Sequence, residues 1–153
     1  MPFTSDAIEV DDALQAIELY AERGWTDGLP IVPPTEGLVA RFVEALDVAP
    51  DTVLGVEPTK GAVITAEKAA INAVMAGCRP EYMPVLAAAI DAMTAPEFGL
   101  HGISVSTMGS AVLLIVNGPI ATELEMNSGV SVFGPGNRAN ASIGRAIRLI
   151  IIN

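Results

Sequence analysis

The stretch "AEKAAINAVMAGCRPEYMPVLAAAIDAMTA", residues 66–95, decides the fold. Alanine gives up no side-chain freedom on entering a helix, so two Ala-rich runs predict two helices. Thr65 is placed to cap the first, and Gly77 to end it with a left-handed residue. Pro80 then opens the second helix, with Pro84 in or near its first turn, where a missing N–H costs nothing. Both runs are apolar almost all round, which predicts helices that are buried and closely packed.

Working outward, "TVLGVEPTKGAVIT" (52–65) reads as two short strands about a Pro-containing turn. Further upstream, "DAIEVDDALQAIELYAERG" (6–24) places Ile8, Ala13, Ile17 and Tyr20 on roughly one helical face, ending at Gly24. "WTDGLPIVPPT" (25–35) holds three prolines and is extended and turning. Thr35 then caps "EGLVARFVEALDVA" (36–49), a helix stopped by Pro50. Downstream, "HGISVSTMGSAVLLIVNGP" (101–119) reads as a pair of strands, "AVLLIV" being a central strand buried on both faces. A short turn or helix follows, then a Gly- and Asn-rich loop over 127–137 and a last amphipathic helix. The expected class is α/β, with mixed α+β as the alternative. A small sheet packs against buried Ala-rich helices in a single domain, 1–153.

Composition points beyond one chain. Charged residues are 17% and hydrophobic ones 51% of the 153 residues, against about 25% charged in typical domains, so more surface than usual should be covered. Part of the core is therefore expected to be completed by another polypeptide, in a hetero-oligomer. The net charge of −10 argues against nucleic acid or an anionic membrane as partner. No apolar run is long enough to span a bilayer, and the acidic N-terminus does not resemble a signal peptide. One Cys leaves no internal disulfide, which fits a reducing cytoplasm. With one His and one Cys, no zinc site is expected, and the sequence requires no cofactor.

Charge is unevenly spread. Residues 1–57 carry twelve acids against two bases, whereas 138–153 carry Arg138, Arg145 and Arg148 and no acid. That reversal either places positive charge in a cleft or, for Arg145 and Arg148, complements the helix end. The loop with Asn127, Ser128, Gly129, Gly134, Gly136 and Asn137, followed by Arg138, would bring free amides at a helix start to a carboxylate, phosphate or oxyanion. It matches neither a dinucleotide fingerprint nor a P-loop; the alternative is a glycine turn with Asn137 as an ordinary cap. Asn140 and Gly144 share a helix face with Asn137, open to a substrate or to interhelical packing.

Three further positions are candidates. Cys78, between two helices and beside Arg79, would gain thiolate character there, or else is a small buried residue. His101 would act as acid or base from a loop before a strand, or is structural. Trp25 and Asp27 would cover and charge-pair a ligand, or grip another subunit. Lys60, Glu67 and Lys68 read as solvated charges.

Three irregular blocks, "GWTDGLPIVPPT", "NAVMAGCRPEYMPV" and "NSGVSVFGPGNRANASIGRA", resemble in the same order those of a family mainly of bacterial hypothetical proteins. Its members are loosely labelled thioredoxin-reductase-like, or associated with proteins bearing a selenocysteine-Gly-Ser-Cys motif; this chain has neither a dithiol nor a flavin fingerprint. Members continue beyond the helix resembling "IGRAIRLIIIN". The resemblance implies that the remainder lies in a second polypeptide, made by a separate gene, a truncation or a cut after Asn153, whose amide can attack its own carbonyl. On this reading "LIIIN" is a seam covered by that chain.

The expected function is a subunit of an enzyme acting on a small anionic organic substrate by hydrolysis, hydration or carbon–heteroatom cleavage. Loop 127–138 would bind the anion or steady an oxyanion, with His101 or Cys78 in catalysis. The alternatives are a non-catalytic scaffold for a redox or selenoprotein partner, and a thiol-dependent reductase using Cys78.

Overall fold

The computed structural model describes residues 3–105, 107 and 111–153. In chain order it contains α1 (Ala13–Glu22), α2 (Glu36–Glu44), β1 (Val53–Val56), β2 (Val63–Thr65), α3 (Ala66–Met75), α4 (Met83–Thr94), α5 (Leu100–Ser104), α6 (Pro119–Glu123) and α7 (Arg138–Ile152). Single 3₁₀ turns at Pro80–Tyr82 and Pro96–Phe98 flank α4. The architecture is mixed α+β, mostly helical, with one two-stranded antiparallel sheet.

α3 is the centre, packing against α2, α4, α7 and β2. Ala66, Ala69, Ala70 and Ala73 have no exposed surface; their small side chains let three helices and the sheet approach on all sides. Thr65 caps it by accepting from Lys68 N at 3.2 Å. At its other end Gly77 adopts φ 81°, and the N–H groups of Gly77 and Cys78 return to the carbonyls of Val74 and Ala73, closing a Schellman motif as the Gly predicts. α4 supplies Met83, Leu86, Ile90 and Met93 to the same core. β1 can lie on α4 only because residue 55 is Gly: a Cβ there would sit 2.6 Å from Thr94 Oγ1.

The amphipathic α7 buries Ile143, Ala146, Ile147, Leu149 and Ile150. Leu149 and Ile150, expected at a seam covered by a second chain, are thus covered by this chain's own helices. Ile151 and Ile152 are partly exposed.

Several expectations are corrected. α1 begins at Ala13, not near residue 6, because Asp12 takes the cap position and accepts from Gln15 N at 2.8 Å; Ile8 lies outside the helix, 46% exposed. α2 ends at Glu44, and Asp47 at φ 52° turns the chain well before Pro50. Thr35 stands at the α2 cap without a side-chain bond. α4 is buried on one side but presents Pro84, Ala88, Asp91 and Ala92 to solvent.

The largest correction concerns 101–116. His101 lies in α5, a helix. "AVLLIV" is extended but joins no strand among the described residues. It is buried on one side only: Val112, Leu114 and Val116 pack on the core, while Leu113 and Ile115 are 63% and 78% exposed. An unbroken apolar run does not reveal whether one face or two are covered. Ser106 and 108–110 of the first expected strand lie outside the described residues.

Candidate functional site

The Gly/Asn loop before α7 is braced by its own side chains. Asn140 Oδ1 accepts from Asn127 N at 3.0 Å while its Nδ2 donates to Asn127 O at 2.8 Å and Val132 O at 3.4 Å. Asn127 in turn accepts from Gly129 N at 2.9 Å and donates to Val130 O at 3.1 Å. Asn137 caps α7 through Asn140 N at 2.9 Å and ties back to Glu125 O at 2.7 Å. Gly134 closes a turn with its N–H 2.7 Å from Ser131 O, where an added Cβ would meet Ser131 Oγ at 2.5 Å. Gly136 supplies a φ of 113°, open mainly to glycine.

This geometry favours a brace over an anion cradle. The amides of Asn127, Gly129, Gly134 and Asn140 have internal acceptors, and the large side chains the loop turns outward are Val130 and Phe133, 96% and 85% exposed. Ser128 is exposed as well. Arg138 points away, its Nε donating to Gly77 O at 3.0 Å and its Nη2 to Cys78 O at 3.4 Å, so it clamps the start of α7 to the end of α3. Gly144 is exposed, with no neighbour for an added Cβ; it serves no close helix packing.

The structure does not bring Cys78 and His101 together as a pair. Cys78 is 5% exposed. Burial pushes its thiol up to about 11, against weaker opposing pulls from the Ser142 hydroxyl and the Arg138 charge; these surroundings oppose the thiolate that its position beside Arg79 suggested. His101 is exposed on α5, its carbonyl accepting from Ser104 Oγ at 3.3 Å.

Asp27 has a structural partner that sequence spacing does not reveal. Arg145 holds it bidentately, Nε to Oδ2 at 3.0 Å and Nη2 to Oδ1 at 2.9 Å, and also donates to Pro30 O at 2.9 Å. The proline-rich segment is thereby fixed across α7, and hydrogen bonding to Arg145 holds the Asp27 carboxyl below its ordinary range. Arg145 therefore does not act as a helix-end charge.

A concavity lies elsewhere. A cavity of about 1010 Å³ is enclosed by residues 3–8, Trp25 at the end of α1, the β1–β2 turn, α3 and the end of α7. Ile64, Ile71, Met75 and Ile151 form its apolar wall. Trp25 stands edge-on to Tyr20 at 5.3 Å between ring centres, with the Arg23 guanidinium 5.3 Å over its ring. Asn153 reaches the same wall, its Nδ2 donating to Asn72 Oδ1 at 2.8 Å and Trp25 O at 3.2 Å. Of the residues named from sequence, Trp25 and Asn153 line this cavity; Asp27, Cys78, His101 and the 127–140 loop do not.

Two glutamates on the wall were not recognisable as site residues. Glu67, expected as a solvated charge, is 1% exposed. It gathers the N-terminal segment: Thr4 N and Oγ1 each donate to Oε2 at 2.9 Å, and Ser5 N to Oε1 at 2.8 Å. Burial pushes its carboxyl up, but those bonds outweigh it and hold it below its usual value. Glu57 is 6% exposed. Its Oε2 accepts from Lys60 N at 2.6 Å and Thr59 N at 3.0 Å, while Oε1 is buried without a partner among the described residues. Here too burial raises the carboxyl, but the Lys60 amide, the Thr59 hydroxyl and amide and the Lys60 charge outweigh it and hold Glu57 below its usual value. Glu followed by three residues and a Gly, "EPTKG" (57–61), is the sequence signal for this arrangement, and it is common to many turns.

Among the described residues no group of three His, Cys, Asp or Glu side chains is placed to hold a metal ion, and no helix is long and apolar enough to cross a membrane. No protein-family model matches this chain, nor does any curated protein or solved structure.

Proposed function

We propose that the chain is the substrate-binding component of an enzyme acting on a small organic molecule, held in the cavity between residues 3–8, the β1–β2 turn, α3 and the end of α7. The observation that carries this reading is the cavity itself. It combines an apolar wall with ionised, mostly buried carboxylates, the mixture expected of a small-molecule site. Carboxylates held below their ordinary range are poor proton donors, so this chain contributes binding, and a companion polypeptide supplies reacting groups. The anion expected at loop 127–138 has less support, because that loop spends its polar groups on its own backbone. A thermal-shift screen of small organic amines, alcohols and acids tests the proposal. Saturable stabilisation that is lost in Ile71→Trp, which fills the cavity, and kept in Phe133→Ala supports it. Stabilisation that survives Ile71→Trp, or none across the screen, overturns it.

A second reading, a scaffold for another polypeptide, is favoured by a separate observation: Leu113 and Ile115 form an exposed apolar row on an extended segment with no strand neighbour among the described residues. Such a segment can accept a partner strand. Native mass spectrometry of the complex isolated from its own cells checks this. A companion chain lost on Ile115→Asp and retained in Ile71→Trp supports the scaffold; a companion unaffected by Ile115→Asp removes it.

A further inference from the structure

We infer that the ligand of this cavity carries a protonated nitrogen, an ammonium or guanidinium group, and that Glu57 receives it. The inference rests on the reading of the cavity as the binding site. The two wall glutamates differ in one respect. Both oxygens of Glu67 are bonded by Thr4 and Ser5, whereas Glu57 has both its amide donors on Oε2 and, among the described residues, none on Oε1. An acceptor buried without a donor is costly, more so when charged, and buried polar groups are otherwise nearly always paired. Hydrogen bonds to an ionised carboxylate are about twice as strong as those between neutral groups, and a cationic donor adds its charge attraction to the bond.

The surroundings favour the same charge. The chain's net charge of −10 draws cations to its surface, and the cavity lining carries Asp6, Glu36, Glu57 and Glu67 against Arg23, Lys60 and Lys68. Two of the cationic side chains on the lining are already engaged: Lys68 Nζ donates to Val63 O at 3.2 Å, and Arg23 lies over Trp25. Lys60 bonds Glu57 through its backbone N–H, and its ammonium charge acts on the same carboxylate more weakly than that bond. Elsewhere on the same lining, Trp25, Ile64, Ile71 and Met75 suit an aromatic or aliphatic body attached to the nitrogen.

Calorimetric titration of the full chain with tryptamine and with its neutral counterpart tryptophol tests the assignment. The expected result is an affinity for tryptamine about tenfold above that for tryptophol, a preference that Glu57→Gln abolishes while tryptophol binding is unchanged. Equal affinities in the unaltered protein, or a preference that persists in Glu57→Gln, overturn the inference while leaving the cavity a binding site. Binding of neither compound, or binding unaffected by Ile71→Trp, overturns the cavity reading as well. The comparison of the two compounds on the unaltered chain decides the outcome even where Glu57→Gln does not fold.

Discussion

The loop before α7 and the wall around Glu57 and Glu67 are opposites. The loop is conspicuous in sequence, with four Gly or Asn positions between 134 and 140, yet its asparagines bond its own backbone. The wall is inconspicuous, two glutamates in ordinary surroundings, yet it lines the cavity. Sequence shows which residues are able to do chemistry. Which of them remain available depends on bonds made across the fold, and those are settled by tertiary contacts.

The comparison breaks most sharply at Asn140. If the loop is a brace, Asn140→Ala leaves Asn127 N and two carbonyls without partners, for an expected loss of about 3 kcal/mol in urea unfolding. Unchanged stability would return the loop to the role of a ligand cradle. On the other side of the comparison, Glu67→Gln exchanges an acceptor for a donor facing N–H groups and should cost about 2 kcal/mol. Hydrogen exchange at Thr4 and Ser5 should rise with it; protection that stays put would show that Glu67 does not hold the N-terminal segment.

Asp27→Asn follows, at about 1–2 kcal/mol, since it removes one charge of a partly buried bidentate pair. Its pH dependence has a fixed sign. The folded carboxyl lies below its unfolded value, so the folded state binds fewer protons there and stability rises with pH. The contribution is complete above the ordinary Asp range and is lost as pH falls through the folded value. In Asp27→Asn that part of the acid-side slope should vanish; a slope identical to the unaltered chain would show that the pair adds nothing.

α3 and α4 were legible because local rules act there without competition, whereas α5 falls where a strand was expected. Thr65 and Gly77 bound α3 where expected, and its alanines are buried because nothing but close packing suits so many of them. The β1–β2 hairpin was legible for the same reason. The segment 111–116 was not, since six apolar residues in a row fit one buried face or two. Of the candidate site, only Trp25 and Asn153 on the cavity wall were named from sequence. Arg145 and Asp27 stand 118 positions apart, and Glu67 meets Thr4 across 63; no local pattern encodes such pairings.

Cys78 carries the smallest expected effect and sharpens the same contrast. A neighbouring Arg and a following helix are the features that activate a thiol, and Cys78 has both in sequence. In the fold the Arg138 side chain bonds the Gly77 and Cys78 carbonyls, while burial pushes the thiol up to about 11 from an ordinary 9.0. Each unit removes a factor of ten in thiolate, so alkylation by iodoacetamide at neutral pH should be about a hundredfold slower in the native protein than in urea. Cys78→Ala should cost only about 1 kcal/mol, the loss of a small buried apolar group. Native alkylation as fast as in urea would mean that the thiol is exposed to solvent and ionised. The thiol-dependent reductase would then displace the cavity as the leading account of this chain.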